Sequence, residues 1–205
     1  MADLARHTLV YLASETWAPL IAPDEPALLR NWAAEGRPTI ARRILCDDGD
    51  AIALGVPLPP ALGKRRVALR CAPDAVVRTT PPPLLRDAAA AAPRAWQMTI
   101  AALLLCDPKM RCFGSLAWQH LTGLDYLTDT SDIDLILECA DPATADARAA
   151  KIESVDAAAP MRIDAELVAP DGAAVQWREW RSDADQLLAK SPAAARLVDR
   201  TALFA

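Results

Sequence analysis

Two aspartates stand two residues apart in Ser131-Asp132-Ile133-Asp134-Leu135-Ile136-Leu137. Side chains alternate faces along a strand, so Asp132 and Asp134 point one way while Ile133, Leu135 and Leu137 point into a core. Two carboxylates so placed repel each other unless a cation lies between them. Magnesium suits the position: it takes oxygen ligands at about 2.0–2.1 Å, commonly one or two carboxylates with substrate phosphate oxygens. An isolated D-x-D is also a common solvated strand end, so the pair needs company.

Two further features supply it. Upstream, Gly114-Ser115 falls at a strand-to-helix junction. A glycine there lets a phosphate approach the backbone, and the free amides of a helix start, with a serine hydroxyl, favour an anion. Ser115 is equally suited to cap that helix, and the two roles are compatible. Downstream, Met161 to Ala169 alternates so that Arg162, Asp164, Glu166 and Val168 share a face. Asp164 or Glu166 could stand beside the D-x-D pair on a neighbouring strand.

The elements that must position these residues divide at Thr79-Thr80-Pro81-Pro82-Pro83, because three prolines continue neither a helix nor a central strand. The expected fold class is α+β, with a small lobe over 1–80 and a catalytic domain over 84–205. In the first lobe, Thr8–Leu12 reads as a strand. Asp24 then caps a helix bearing Leu28, Leu29 and Trp32 and ending at Gly36. Thr39–Cys46 and Ala51–Leu54 flank the hairpin signal Asp47-Asp48-Gly49-Asp50, and Arg66–Cys71 is another strand. In the second, Leu84–Ala92 and Ala95–Cys106 are helical, and Lys109–Phe113 is a short strand before a helix reaching Gly123. Ser131–Cys139 is a strand, and Asp141-Pro142 opens a helix to about Asp156. Met161–Ala169 and Ala173–Trp177 are strands, and from Ser182 the chain is expected to be helical with a break at Pro192.

Composition excludes several classes. The 205 residues carry 22 basic and 27 acidic groups, a net charge of −5, which disfavours nucleic acid as a partner. The longest apolar run, around Thr99 to Cys106, is far short of the ~20 residues that cross a bilayer, and no secretory leader is visible. Cys46, Cys71, Cys106, Cys112 and Cys139 are scattered without a C-x-x-C pair, as expected for reduced thiols in a cytoplasmic protein.

The order G-S, then D-x-D, then an acid on a later strand resembles the polymerase-beta-like nucleotidyltransferase superfamily. Sixteen residues separate Ser115 from Asp132, longer than that pattern, and the extra part includes Leu121-Thr122-Gly123-Leu124-Asp125-Tyr126-Leu127. This narrows the likeness. Phe113-Gly114-Ser115-Leu116-Ala117-Trp118-Gln119, the inserted stretch, Ser131 to Leu135, Arg162 to Leu167, Pro170-Asp171-Gly172 and Trp177-Arg178-Glu179-Trp180 resemble the phosphoribosyl-dephospho-CoA transferases of malonate decarboxylase. Gly36-Arg37-Pro38, Arg42-Arg43, Leu54 to Pro59 and Gly63 to Arg66 extend the likeness into the first lobe.

The resemblance implies a mixed sheet flanked by helices, and transfer of a prosthetic group from 2′-(5″-triphosphoribosyl)-3′-dephospho-CoA to a serine of an apo acyl carrier protein, with release of pyrophosphate. It implies Mg²⁺ or Mn²⁺ as cofactor, held by Asp132, Asp134 and Asp164, and Gly114-Ser115 on the triphosphate. Asp164 ranks above Glu166 because it lies in the better-matching part of the motif. From the basic set Arg42, Arg43, Lys64, Arg65, Arg66 and Arg70, Arg42 and Arg65 are expected on the triphosphate or the carrier. Two other readings share the motif: a metal-dependent nucleotidyltransferase acting on a small molecule or another protein, and an inactive nucleotide-binding module.

Overall fold

A computed structural model describes residues 4–42, 49–192 and 194–204. The chain separates into two compact units, Met1–Pro82 and Pro83–Ala205, and the division falls inside the proline run.

The first unit is built on an antiparallel sheet. Its elements are β1 (Leu9–Leu12), α1 (Ser14–Trp17), β2 (Thr39–Ala41), β3 (Ile52–Pro57), β4 (Arg66–Cys71) and β5 (Val76–Thr80). The strand order is β4-β3-β2-β1-β5. β4 shows why the sequence chooses a strand: Val67, Leu69 and Cys71 are buried, while Arg66, Ala68 and Arg70 point outward. β2 and β3 pair antiparallel, Ile40 opposite Gly55, as a hairpin requires. Residues 43–48 of the connection, with Arg43, Cys46, Asp47 and Asp48, lie outside the described residues.

Two expectations fail in this unit. β5 had no counterpart in the sequence reading, yet it pairs with β1, Leu9 opposite Thr80. The helix expected from Asp24 to Gly36 is instead a 3-10 turn, Ala27–Asn31, followed by further turns, and Asp24 caps nothing. The cause is competition for one carbonyl. Leu29 O accepts both the Trp17 indole N–H, at 2.5 Å, and the Trp32 amide. The Trp32 indole is held by Pro38 O at 2.8 Å. Burying two tryptophans with their N–H groups satisfied outweighs a regular helix. Gly36, at φ +70, does end the segment.

The second unit holds α2 (Leu85–Ala88), α3 (Gln97–Cys106), β6 (Arg111–Phe113), α4 (Gly114–Thr122), β7 (Ile133–Glu138), α5 (Pro142–Asp156), β8 (Ile163–Val168), β9 (Ala174–Gln176), α6 (Trp177–Arg181), β10 (Gln186–Lys190) and β11 (Ala195–Asp199). Its mixed sheet runs β11-β10-β9-β8-β7-β6. Among the described residues its one parallel pair is β7 with β8, joined by α5, and the other registered pairs are antiparallel. Asp141 caps α5 by accepting the Thr144 amide at 2.7 Å, with Pro142 in the first turn. Leu135, Leu137, Ala165 and Leu167 leave one face of the sheet and pack in one core with Ile100, Leu103, Ala145, Ala149 and Ile152.

The expected C-terminal helix is a correction. Gln186–Lys190 and Ala195–Asp199 pair antiparallel as β10 and β11, with Leu187 opposite Val198. Leu187 and Ala189 are buried while Gln186 and Leu188 are exposed, a period of two that the alanine-rich composition hides. α6 also replaces a stretch with no expected helix.

The fold is thus α+β. No helix among the described residues is long and apolar enough to cross a membrane. Cys71, Cys106, Cys112 and Cys139 are free thiols, and Cys46 lies outside the described residues.

Candidate active site

The second unit carries chemistry on the face of its sheet opposite that core. β6, β7 and β8 lie side by side, with Phe113 opposite Asp134 and Asp134 opposite Asp164. The parallel register therefore places two acids from strands far apart in sequence next to each other. Asp132 stands two residues before Asp134, on the same face. A carboxylate oxygen from each of Asp132, Asp134 and Asp164 lies within 4.8 Å of the others. That span suits oxygen ligands around a divalent ion, whose ligand distances are about 2.0–2.1 Å for magnesium.

Gly114 follows Phe113 directly and begins α4. Its φ is +62, and a Cβ built on it would lie 1.8 Å from Asp134 Oδ2 and 2.6 Å from Asp134 Cγ. A side chain at 114 would fill the place of the carboxylate. Glycine is needed twice over here, for the backbone angle and for the space. The N-cap of α4 is Phe113, and no side chain caps the helix. Ser115 is thus not the cap that the sequence allowed. The amides of the first turn remain available beside the acids, the arrangement that receives an anion.

The electrostatics follow from this crowding. Burial, then the negative charges of Asp132, Asp164 and Glu166, push the Asp134 carboxyl up to about 8, and Arg162 offsets only part of this. A cation among these oxygens removes the repulsion, so the donor set fits a divalent metal. Behind Asp134, on the core side, burial pushes the Cys112 thiol up to about 12, which keeps it a neutral packing residue.

Glu166 is buried at 7% exposure, one step farther along β8, opposite Ile136 and Gln176. It shares the face with Asp164 but lies outside the three-acid cluster.

Two supports carry roles that the sequence does not assign. Gln176 ends β9 and donates its amide N–H to Asp164 Oδ1 at 3.0 Å. Gln119 on α4 organises the inserted stretch: its Oε1 accepts the amides of Tyr126 and Leu127, and its Nε2 donates to Ala91 O. The Thr128 amide then donates to Ser131 Oγ at 2.9 Å, immediately before Asp132. Gln176 sits in no recognisable local motif, and Gln119, although it closes the stretch Phe113 to Gln119, has partners in distant segments that the stretch itself does not reveal.

Arg42 and Arg65 belong to the first unit. The Arg42 amide donates to Ala53 O beside β3. Arg65 forks onto the Glu25 carboxylate, Nη1 to Oε1 at 3.0 Å and Nη2 to Oε2, and that contact raises its pKa further. Arg66 and Arg70 are exposed on β4.

Comparison with known proteins identifies a family over both units. Residues 84–201 match the family model of the phosphoribosyl-dephospho-CoA transferase MdcG C-terminal domain, and residues 5–82 match that of its N-terminal domain. A phosphoribosyl-dephospho-CoA transferase of Bradyrhizobium diazoefficiens is 44% identical over 203 residues, covering 95% of this chain and 90% of that protein. One of Xanthomonas campestris pv. campestris is 38% identical over 97% of this chain and 96% of its own length. One of Pseudomonas putida is 33% identical over 85% of each. No solved structure matches. The chain belongs to the phosphoribosyl-dephospho-CoA transferase family and is an enzyme of the transferase class.

Proposed function

We propose that this enzyme moves the phosphoribosyl-dephospho-CoA unit of 2′-(5″-triphosphoribosyl)-3′-dephospho-CoA to a serine of the apo acyl carrier protein of malonate decarboxylase. The observation that carries the reading is the cluster of Asp132, Asp134 and Asp164 against the Cβ-free backbone of Gly114. The carrier serine Oγ bonds to the phosphorus next to the ribose. The bond from that phosphorus to the β-phosphate oxygen breaks, and pyrophosphate leaves.

Mg²⁺ or Mn²⁺, when bound, neutralises the phosphate oxygens and favours an attacking alkoxide in an in-line displacement. Asp132 and Asp134 would hold it, with Asp164, steadied by the Gln176 amide, completing the set and receiving the serine proton. The first-turn amides of Gly114 and Ser115 would hold the triphosphate. Arg42 and Arg65 of the first unit are assigned to the triphosphate tail or to the carrier, whose acidic surface would suit them.

The test is mass spectrometry of the apo carrier after incubation with enzyme, triphosphoribosyl-dephospho-CoA and Mg²⁺. The expected result is a mass gain of one phosphoribosyl-dephospho-CoA unit with equimolar pyrophosphate, both absent with chelator. An unmodified carrier under these conditions refutes the proposal.

A further inference from the structure

Strand β9 stops at Gln176, opposite Glu166. β8 continues toward the site as Ala165, Asp164 and Ile163, and there its outer edge loses the strand that would satisfy it. The first residues of α6 replace that strand. The Trp177 indole N–H donates to Ile163 O at 3.0 Å, and Arg178 Nη1 donates to the same oxygen at 2.7 Å. Arg178 Nη2 also grips both oxygens of Asp156, at 2.8 and 2.7 Å, and Asp156 Oδ1 accepts the Ile163 amide at 3.1 Å. The backbone directly before Asp164 is therefore held on both its N–H and its C=O.

Gln176 extends this hold to the carboxylate. Its Oε1 accepts the amides of Arg178, at 2.5 Å, and Glu179, at 3.2 Å, and so caps α6. An amide has one oxygen and one NH₂, so a cap made by the oxygen leaves only the NH₂ to face Asp164. The side chain cannot flip without losing two hydrogen bonds and setting two oxygens against each other.

We infer that Gln176 is a positioning residue: through its hydrogen bond to Oδ1 it locks the rotamer of Asp164 and holds that carboxylate toward Asp132 and Asp134. The inference rests on the proposed role of Asp164 as a metal ligand. Partners of this kind orient ligating carboxylates, and their loss typically weakens metal binding or activity by about 10–100-fold.

The deciding variant is Gln176→Ser. Serine is a favoured N-cap and keeps α6 capped, but it is too short to reach Asp164. Gln176→Asn, which caps as well, replaces it if circular dichroism shows the serine variant misfolded. Mn²⁺ binding to the full chain, read from the electron paramagnetic resonance of free Mn²⁺, is compared for wild type, Gln176→Ser, Asp164→Asn and the double variant. The expected outcome is Mn²⁺ affinity about 10–100-fold lower in Gln176→Ser, with no further loss when the change is added to Asp164→Asn. Wild-type affinity in Asp164→Asn removes the ligand role of Asp164 itself. Weakened binding in Asp164→Asn with wild-type binding in folded Gln176→Ser overturns the positioning role alone. An equal loss from Gln176→Ser in both backgrounds overturns it too, because the effect would then bypass Asp164.

Discussion

Gly114 and Asp134 share a space that holds only one side chain: a Cβ on the glycine would overlap the aspartate carboxylate at 1.8 Å. Gly114→Ala should therefore displace Asp134 while also forcing alanine into a left-handed backbone. Transfer should fall at least ~10²-fold, the usual scale for losing one electrostatic stabiliser of a transition state. Folding should weaken by more than the ~1 kcal/mol limit of compatible glycine replacements. Carrier modification rates and thermal melts measure the two effects, and an alanine variant with wild-type turnover would show that the carboxylate need not sit there.

Asp132→Asn and Asp134→Asn should keep the fold and lose transfer by ~10²-fold or more. Asp164→Asn should cost more turnover than Glu166→Gln, because Glu166 lies outside the three-acid cluster. Circular dichroism provides the folding control. The opposite ranking, with Glu166→Gln dead and Asp164→Asn active, would exchange the roles of the two acids.

The raised Asp134 pKa makes the metal-free fold sensitive to pH. The folded protein holds a proton on Asp134 up to about 8, while the unfolded chain releases it near the ordinary aspartate range. Between those values the folded state binds more protons, so this group's contribution to stability is greatest at low pH and is lost as pH rises through about 8. With chelator present, the melting temperature should fall from pH 5 toward pH 9, and Asp134→Asn should flatten the fall. Added Mn²⁺ should reverse it by favouring the ionised carboxylate. Parallel melting curves for wild type and Asp134→Asn across this range would contradict the assignment.

Asp156→Ala removes the acceptor of the Ile163 amide and of Arg178 Nη2 together. Leaving the buried Ile163 amide unpaired typically costs about 1–3 kcal/mol, read as a lower urea midpoint at constant slope. A midpoint equal to wild type would mean that water replaces this support without loss.

The basic residues of the first unit give a kinetic prediction. If they meet the carrier, the paired change Arg42→Ala with Arg65→Ala raises the carrier KM and flattens the salt dependence of the rate. If they meet phosphate, the KM of the triphosphate substrate rises instead. Unchanged kinetics for both substrates leaves them without a functional role.

Legibility followed the range of the forces involved. Asp132 with Asp134, and Asp164 with Glu166, could be read because strand alternation is local and survives in one short segment. The pairing of β10 with β11 is not legible locally because Leu187, Leu188 and Ala189 favour a helix by propensity, and only pairing decides. The turn at 27–31 was misread because two indoles, one of them from Trp17, claim nearby carbonyls. Gln176 was unreadable for the same reason: its partner is twelve residues away, on another strand.

The parallel pairing of β7 with β8 separates site geometry from chain length. Twenty-nine residues lie between Asp134 and Asp164, yet the acids meet because Ile133 sits opposite Ile163 and each following pair stays in step. A turn of helix added to or deleted from α5 leaves that ladder untouched, whereas a one-residue slip of β8 turns Asp164 inward and Ile163 or Ala165 outward. The count of residues between the two acids is therefore a weak identifier of such a site. The parity of the acid within its strand is a strong one.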